Sequence, residues 1–257
     1  MTTQLAAATK DNPYVNTLGM EFVPVPILHG PTAGRRVLFS IWDTRVQDYK
    51  VFVEETKRAT QKPAFEQAPT HPVVMVTWDD AKAFCAWLTE KERKAGKLSA
   101  NEAYRLPSDH EWSSAVGLPP EQGATPTDRS GKNGNEFPWG AGFPPGRMNV
   151  GNYRDETWHA DSPAAKVWLK GYNDGYVHTS PVGNYAANRF GLFDMGGNVW
   201  QWCEDWFDAG QKDRVVRGGS WDNHDRGSLL SSHRTPHAPA DRDPSYGFRC
   251  VLAAPAP

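Results

Sequence analysis

Two segments near the N-terminus have the apolar patterning of β-strands. Residues 20–27 alternate, and their prolines cannot donate to a ladder, so this strand is expected at a sheet edge. Residues 37–42 form a second apolar run. Three more strands are predicted in the C-terminal half: one after a turn in residues 190–202, one in residues 214–221, and one in residues 247–252 that closes the domain.

Three helices are predicted from apolar positions spaced three and four residues apart and from capping signals. Residues 45–57 have such an apolar stripe. Thr77 and Asp80 form a capping-box variant before a second helix. Ser108 and Glu111 form another before a third, short helix.

The middle of the chain is predicted to consist of long loops. Residues 117–188 are rich in Gly, Pro, Asn and Asp, and Trp and Tyr residues are spread through them. The whole chain has 11 Trp, 23 Gly and 21 Pro, which favours an irregular domain whose loops are held by aromatic side chains. Residues 1–14 are polar, and we expect them to be a flexible N-terminal lead.

Charge and hydropathy narrow the choice of partners. The formal net charge is -2 and no basic run exceeds two residues, so we expect no nucleic-acid partner. No run of 18 apolar residues exists, which argues against a membrane span. The first residues lack the apolar core of a secretory signal, so a cytoplasmic location is expected by default. Three cysteines are too few for a disulfide scaffold or a zinc ribbon, although one bridge can form.

The most unusual composition lies in residues 217–251. RGGSW and GFRCV enclose residues 222–246, which contain no Lys, Glu, Gln, Met or Trp. The residue types that are present can all be reached from an Asn codon by changing only its adenines. The five missing types cannot be reached in this way if the third base is a pyrimidine. This bias indicates a diversified binding surface rather than a fixed active site.

Seven motifs, in this order, resemble the formylglycine-generating-enzyme-like (sulfatase-modifying factor) family over about residues 15–253: GMEFVPVP, VTWDDAKAFCAWL, YRLPSDHEWSSAV, FPWG, FGLFDMGGNVWQWCEDW, VVRGGSW and YGFRCV. The resemblance implies a single α+β domain with a C-type-lectin-like fold, loop-rich and with little regular secondary structure. The family contains formylglycine generators, iron-dependent sulfoxide synthases with an extra domain, and ligand-binding proteins. The chain is most similar to the variable proteins of diversity-generating retroelements, in which adenine-directed mutagenesis rewrites the segment between RGGSW and GFR.

On this interpretation residues 217–251 are the variable region, and its residues have two roles. Residues expected to be structural are apolar, conformationally special or able to form bidentate hydrogen bonds: Trp221, Leu229, Leu230, Arg234, Pro239, Arg242 and Gly247. Between them lie the positions that are expected to contact an unknown protein or other macromolecular ligand: Asp222, Asn223, His224, Asp225, Gly227, Ser228, His233, Thr235, Pro236, His237, Ala238, Ala240, Asp241, Asp243, Pro244, Ser245 and Tyr246.

The rival hypothesis is a divergent metal-dependent oxidase or oxygenase of the same family. The formylglycine generators hold copper with two cysteines after GGSW, and those positions fall here between Arg226 and Ser228 and at Ser231. Copper(I) needs soft thiolate ligands, so we expect no copper. The iron-dependent branch takes three histidines from a separate helical domain, which these residues do not contain. A third hypothesis is a structural or regulatory module that is fused elsewhere to a signalling domain.

Histidines and oxygen-bearing residues offer other candidate metal ligands. His233 and His237 are four residues apart, but the prolines around them exclude the continuous helix that would bring them together. Structural calcium is implied by the resemblance, and oxygen ligands suit this hard ion. The first calcium site maps onto Asn152, Tyr153, Asp174 and Tyr176, and the second maps onto Asp194, Gly197, Val199 and Gln201. The family usually has Glu at the position of Gln201, so the second site has lost a charge.

Cys85 and Cys250 correspond to positions that form a disulfide in secreted family members. We favour two buried thiols here because no secretory signal is seen.

Overall fold

Two β-sheets carry the strands of the computed structural model, which describes residues 3–146 and 149–253. The larger sheet is antiparallel and contains, in spatial order, β1 (Tyr14–Val15), β2 (Glu21–Pro26), β3 (Arg36–Ser40), β9 (Val251–Ala253) and β4 (Ala103–Arg105). The smaller sheet contains, in spatial order, β7 (Thr235–His237), β6 (Arg214–Arg217), β5 (Trp200–Trp206) and β8 (Tyr246–Gly247).

Six helices lie around these sheets in the described part of the chain: α1 (Thr3–Ala7), α2 (Val46–Thr56), α3 (Trp78–Lys94), α4 (Asp109–Val116), α5 (Pro126–Arg129) and α6 (Glu156–Asp161). The three predicted helices are confirmed as α2, α3 and α4. Both capping boxes form: the Thr77 side chain accepts from the Asp80 N–H at 3.0 Å, and the Ser108 side chain accepts from that of Glu111 at 3.2 Å.

The strand predictions need two corrections. The predicted edge strand, β2, has β1 beside it, but β1 pairs only with Glu21 and Phe22, so Pro24 and Pro26 lie beyond its reach. The predicted closing strand at residues 247–252 is not continuous. β8 pairs with β5 in the smaller sheet, and β9 pairs with β4 in the larger sheet. The residues between β8 and β9 therefore link the two sheets.

The described part of the N-terminal lead, which was expected to be flexible, packs against the domain instead. Leu5 and Ala8 are buried in the main hydrophobic core. The Arg36 guanidinium donates to the carbonyl oxygens of Leu5, at 2.9 Å, and of Ala6 and Ala8. The apolar side chains that this polar stretch does contain are therefore used for packing.

The packed cores explain how the C-terminal segment is supported. One core joins the larger sheet to α2 and α3, and a smaller one lies under the loops of residues 137–172. Leu229 and Leu230 are buried in this smaller core, as predicted, beside Phe137 and Tyr153. No helix among residues 3–146 and 149–253 is long and apolar enough to cross a membrane.

Candidate functional site

A buried carboxylate, that of Asp109, forms ion pairs with two arginines of the C-terminal segment. Asp109 lies in the first turn of α4 and has no exposed surface. Its side chain contacts the guanidinium groups of Arg217, of Arg234 at 2.9 Å and of Arg129 at 2.9 Å. Burial alone would raise the pKa of Asp109, but the three arginines outweigh it and hold that pKa well below its usual range.

Arg234 makes most of the remaining bridges, as expected for a structural residue. Its Nη1 and Nη2 atoms each lie 2.6 Å from a carboxylate oxygen of Glu121, in a bidentate pair. It also donates to the Ser232 carbonyl oxygen at 2.8 Å, while Arg217 donates to the Ser231 carbonyl oxygen at 2.8 Å. The backbone between RGGSW and GFR is thus attached to the scaffold by buried charged groups.

The residues predicted to contact a ligand are mostly accessible. Of the 17 positions, 15 keep solvent exposure, and we call these 15 the C-terminal surface. Six are exposed: Asp222, Asp225, Gly227, Pro236, Ala240 and Asp241. Nine are partly exposed: Asn223, His224, Ser228, His233, Thr235, His237, Ala238, Asp243 and Pro244.

Ser245 and Tyr246 are buried, which corrects their assignment to ligand contact. Tyr246 is 9 % exposed because β8 pairs with β5, and this places its ring against Trp202, with centroids 5.7 Å apart. The Tyr246 hydroxyl lies 2.8 Å from Nδ1 of His237. Ser245 hydrogen-bonds to the Asp243 carboxylate at 2.5 Å. Both side chains therefore support the surface from beneath.

The two halves of the C-terminal surface meet at Asp222. The Trp221 ring N–H donates to the Pro244 carbonyl oxygen at 3.1 Å, which joins the first loop of the segment to its last. Burial raises the pKa of Asp222, Arg154 opposes this at 3.9 Å, and the nearby Asp243 carboxylate reinforces it. These contacts join the first and last loops of the segment and bring the Asp222 and Asp243 carboxylates near each other.

The positions that correspond to copper ligands do not form a thiolate site. Arg226 and Gly227 are exposed, whereas Ser231 is buried and its backbone N–H donates to Glu136. All three cysteines lie in the interior, and the sulfur atoms of Cys85 and Cys250 are 3.5 Å apart as free thiols.

His233 and His237 lie on an extended segment rather than on a helix. His237 ends β7, and the ring of His233 hydrogen-bonds to Thr235 at 3.0 Å. Among residues 3–146 and 149–253, no three His, Cys, Asp or Glu side chains are grouped so as to hold a metal ion. Any metal here must therefore rely on backbone or amide oxygens as well.

The first expected calcium site has such oxygens and fits the ion. Asn152 Oδ1 is buried and has no hydrogen-bond partner. The Asp174 carboxylate accepts the backbone N–H groups of Tyr153 at 2.7 Å and Tyr176 at 2.9 Å. Asp155, which the sequence analysis missed, accepts the backbone N–H of Asp174. Its position as the N-cap of α6 was the signal that could have identified it.

Burial makes the two acids of this first site costly to ionise. Burial raises the pKa of Asp174 to about 8, and the negative charge of Asp155 adds to the effect. Burial likewise raises the pKa of Asp155. A divalent ion between oxygen ligands would relieve both effects.

At the second expected calcium site, Asp194 Oδ1 is buried and has no hydrogen-bond partner, but the Gln201 side chain is already engaged. The side-chain oxygen of Gln201 accepts hydrogen bonds from Trp112 and Arg249, both at 2.8 Å, so neither lone pair is free. The amide nitrogen of Gln201 donates to the Asp194 carbonyl oxygen at 2.7 Å, and the Arg249 guanidinium contacts the same oxygen. The Gln201 side chain therefore has no free oxygen lone pair to offer an ion at this site.

The two sheets, the loop-rich middle and the arginine-anchored segment define a C-type-lectin-like α+β domain of the formylglycine-generating-enzyme type. The model of the Sulfatase-modifying factor enzyme 1-like domain matches residues 12–254, and the chain belongs to this family. It is 32% identical over 200 residues to the formylglycine-generating enzyme of Streptomyces coelicolor, covering 71% of this chain and 53% of that one. It is 34% identical over 197 residues to the inactive C-alpha-formylglycine-generating enzyme 2 of Bos taurus, covering 72% and 52%. The chain spans about half the length of these curated relatives.

Two solved structures share the fold. PvdO from Pseudomonas aeruginosa superposes with a TM-score of 0.63 at 21% identity, covering 92% of this chain and 95% of that one. Treponema denticola variable protein 1 superposes with a TM-score of 0.56 at 19% identity, covering 95% and 98%. At these identities the likeness concerns the fold alone.

Proposed function

We propose that this domain is a non-catalytic binding protein that displays a diversified C-terminal surface to a protein or other macromolecular ligand. The observation that carries the proposal is the division within residues 217–251. Arg217 and Arg234 hold the backbone through buried charges, while 15 of the 17 intervening candidate positions keep solvent exposure. Substitutions at such loop positions leave the fold intact, because little of the fold depends on their side chains.

Composition supports diversification of this surface rather than mere exposure. Residues 222–246 lack Lys, Glu and Gln, which are common on ordinary protein surfaces, as well as Met and Trp. Solvent exposure explains a shortage of apolar residues but not a shortage of Lys and Glu. Adenine-directed rewriting of Asn codons accounts for all five absences with one cause.

A divergent oxidase or oxygenase of the family is the second candidate. It is favoured by the identity to the formylglycine-generating enzyme of Streptomyces coelicolor. It is disfavoured by the non-cysteine residues at the expected copper positions, and by the similar identity to a relative that is described as inactive.

The decisive experiment is to sequence the gene and its flanking DNA in many clonal descendants of one isolate. We expect a reverse transcriptase gene and a nearby template repeat that carries Asn codons where the C-terminal surface varies. Differences among descendants should be confined to template adenines, and the codons for Arg217, Arg234 and Arg249 should not change. A gene that is invariant and has no template repeat would refute diversification.

A further inference from the structure

A cavity of about 440 Å³ opens beside the C-terminal surface. All but one of the residues that line it lie outside residues 222–246. Its floor is apolar and is formed by Tyr49 and Val53 of α2 with Val73 and Val76 of the following loop. The wall residue is Arg242, which belongs to the C-terminal segment. The cavity is thus contiguous with the proposed binding face.

Met75 connects the cavity wall to the C-terminal segment. Its φ of 59° is the left-handed region, which non-glycine residues rarely adopt and which must be stabilised by the surroundings. The stabilising contacts come from the segment: the Met75 N–H donates to the Asp243 carbonyl oxygen at 3.1 Å, and Arg242 donates to the Met75 carbonyl oxygen at 2.8 Å. The segment therefore holds this wall of the cavity in place.

The C-terminal surface lacks the anchor that a binding face usually needs. Binding energy concentrates where an aromatic or apolar side chain fills a desolvated pocket. Residues 222–246 contain no Trp or Met, and their one Tyr is buried beneath the surface. A partner that inserts its own apolar side chain into the neighbouring cavity would supply the missing anchor.

The charged residues around the cavity indicate which group of the partner should lie next to its apolar side chain. The charged residues that line the cavity are Lys50, Lys62, Arg242 and one acid, Glu54, and Arg242 is paired with the buried Asp80 carboxylate at 2.5 Å. Lys50 is 71% exposed, so its ammonium group is available at the rim, although Glu54 lies 3.7 Å away. The adjoining C-terminal surface instead carries four aspartates: Asp222, Asp225, Asp241 and Asp243. A carboxylate on the partner would thus be attracted to the lysines of the cavity and repelled by the aspartates of the C-terminal surface.

We propose that this cavity is the fixed anchor subsite of the binding face, and that it takes an apolar side chain flanked by a carboxylate from the macromolecular partner. The inference rests on the proposed function for the nature of its partner. The cavity lies in the scaffold, so its lining is the same whatever sequence the C-terminal surface carries. The fixed cavity would then provide affinity for every partner, and the variable C-terminal surface would provide selectivity among partners.

The test uses two fluorescent probes of similar shape, anilinonaphthalene sulfonate, which is anionic, and N-phenylnaphthylamine, which is uncharged. Thr60 lines the cavity and is exposed, while its exposed neighbour Ala59 does not line it. We expect Thr60→Trp to weaken the binding of both dyes about tenfold or more by obstructing the cavity, and Ala59→Trp to leave it unchanged. Equal affinity in the two variants would overturn the subsite.

The charge component is tested with Lys50→Glu combined with Lys62→Glu, both at exposed positions. We expect about fivefold weaker binding of the anionic dye and no change for the uncharged dye. An equal effect on both dyes would overturn the preference for a flanking carboxylate. Neither assay involves the partner or the gene locus. A negative dye result therefore refutes the subsite and leaves the proposed function standing. A negative sequencing result refutes the diversified surface and leaves the dye evidence for the cavity standing.

Discussion

Two arginines in the C-terminal segment show how far the environment of a single residue decides its role. Arg234 has a fully buried side chain between Asp109 and Glu121. Arg226 is exposed, and its guanidinium donates to the Asn135 side chain at 3.0 Å. Both residues have the same chemistry, so replacing each by Ala compares an anchoring arginine with a displayed one.

We expect Arg234→Ala to lower the free energy of unfolding by about 3 kcal/mol or more, because it leaves buried carboxylates without their partner. Arg226→Ala should change that free energy by no more than about 0.5 kcal/mol, as exposed substitutions usually do. Urea unfolding of both variants and the parent measures the difference. Equal losses would mean that the whole segment is a structural element and not a tolerant display.

At this scale the sequence predicts chemistry better than burial. Arg234 could be predicted to be structural because a guanidinium can bridge loops through bidentate hydrogen bonds. Tyr246 could not be placed, because its burial depends on pairing between β5 and a strand of two residues, β8. Gln201 was recognised as a change from the family pattern, but its hydrogen bonds to Trp112 and Arg249 depend on residues far away in the chain.

At the scale of elements, length determines what a pattern can predict. α2 and α3 span 11 and 17 residues, enough for a repeated apolar stripe and a cap. β4 and β7 span three residues each, too few for an alternation, and neither was predicted. Residues 117–188 were predicted to be loops, and they contain two short helices, α5 and α6, that were not predicted. The hydrogen bonds that this region makes to Asp155 and Asp174 appear only in the folded chain.

Calcium should stabilise this loop region through the first site. An ion that binds only the native state adds about 2.7 kcal/mol to the free energy of unfolding at a free concentration 100 times its Kd. We expect the melting temperature of chelator-treated protein to rise by several degrees when CaCl₂ is added. Differential scanning calorimetry at constant pH and ionic strength measures this shift.

Two variants make the calcium experiment specific. Asp174→Asn removes a central oxygen charge and should abolish the shift, whereas Asp161→Asn, at an exposed position in the same region, should retain it. The response to calcium is the quantity to compare, because Asp174→Asn also removes an acid that is costly to ionise when buried. A shift of equal size in both variants would place the ion elsewhere.

At the scale of the whole molecule, the cysteine thiols are buried away from the candidate binding face. Cys85, Cys203 and Cys250 are each no more than 1 % exposed. Burial raises the pKa of Cys85, with the neighbouring Cys250 reinforcing it, and burial also raises the pKa of Cys203. The thiolate form that binds copper is therefore disfavoured at Cys85 and Cys203, and all three sulfurs are inaccessible to a peptide docked on the C-terminal surface.

This separation leads to a prediction about catalysis by the intact domain. Given copper, oxygen and a cysteine-containing sulfatase peptide, the protein should produce no more formylglycine than free copper does, as measured by mass spectrometry of the peptide. The formylglycine-generating enzyme of Streptomyces coelicolor, assayed in parallel, verifies the conditions. Because buried thiols cannot reach the peptide, Cys203→Ser should also make no difference. Turnover that exceeds the free-copper background and is lost in Cys203→Ser would make the domain an oxidase with a copper site unlike the one its relatives use.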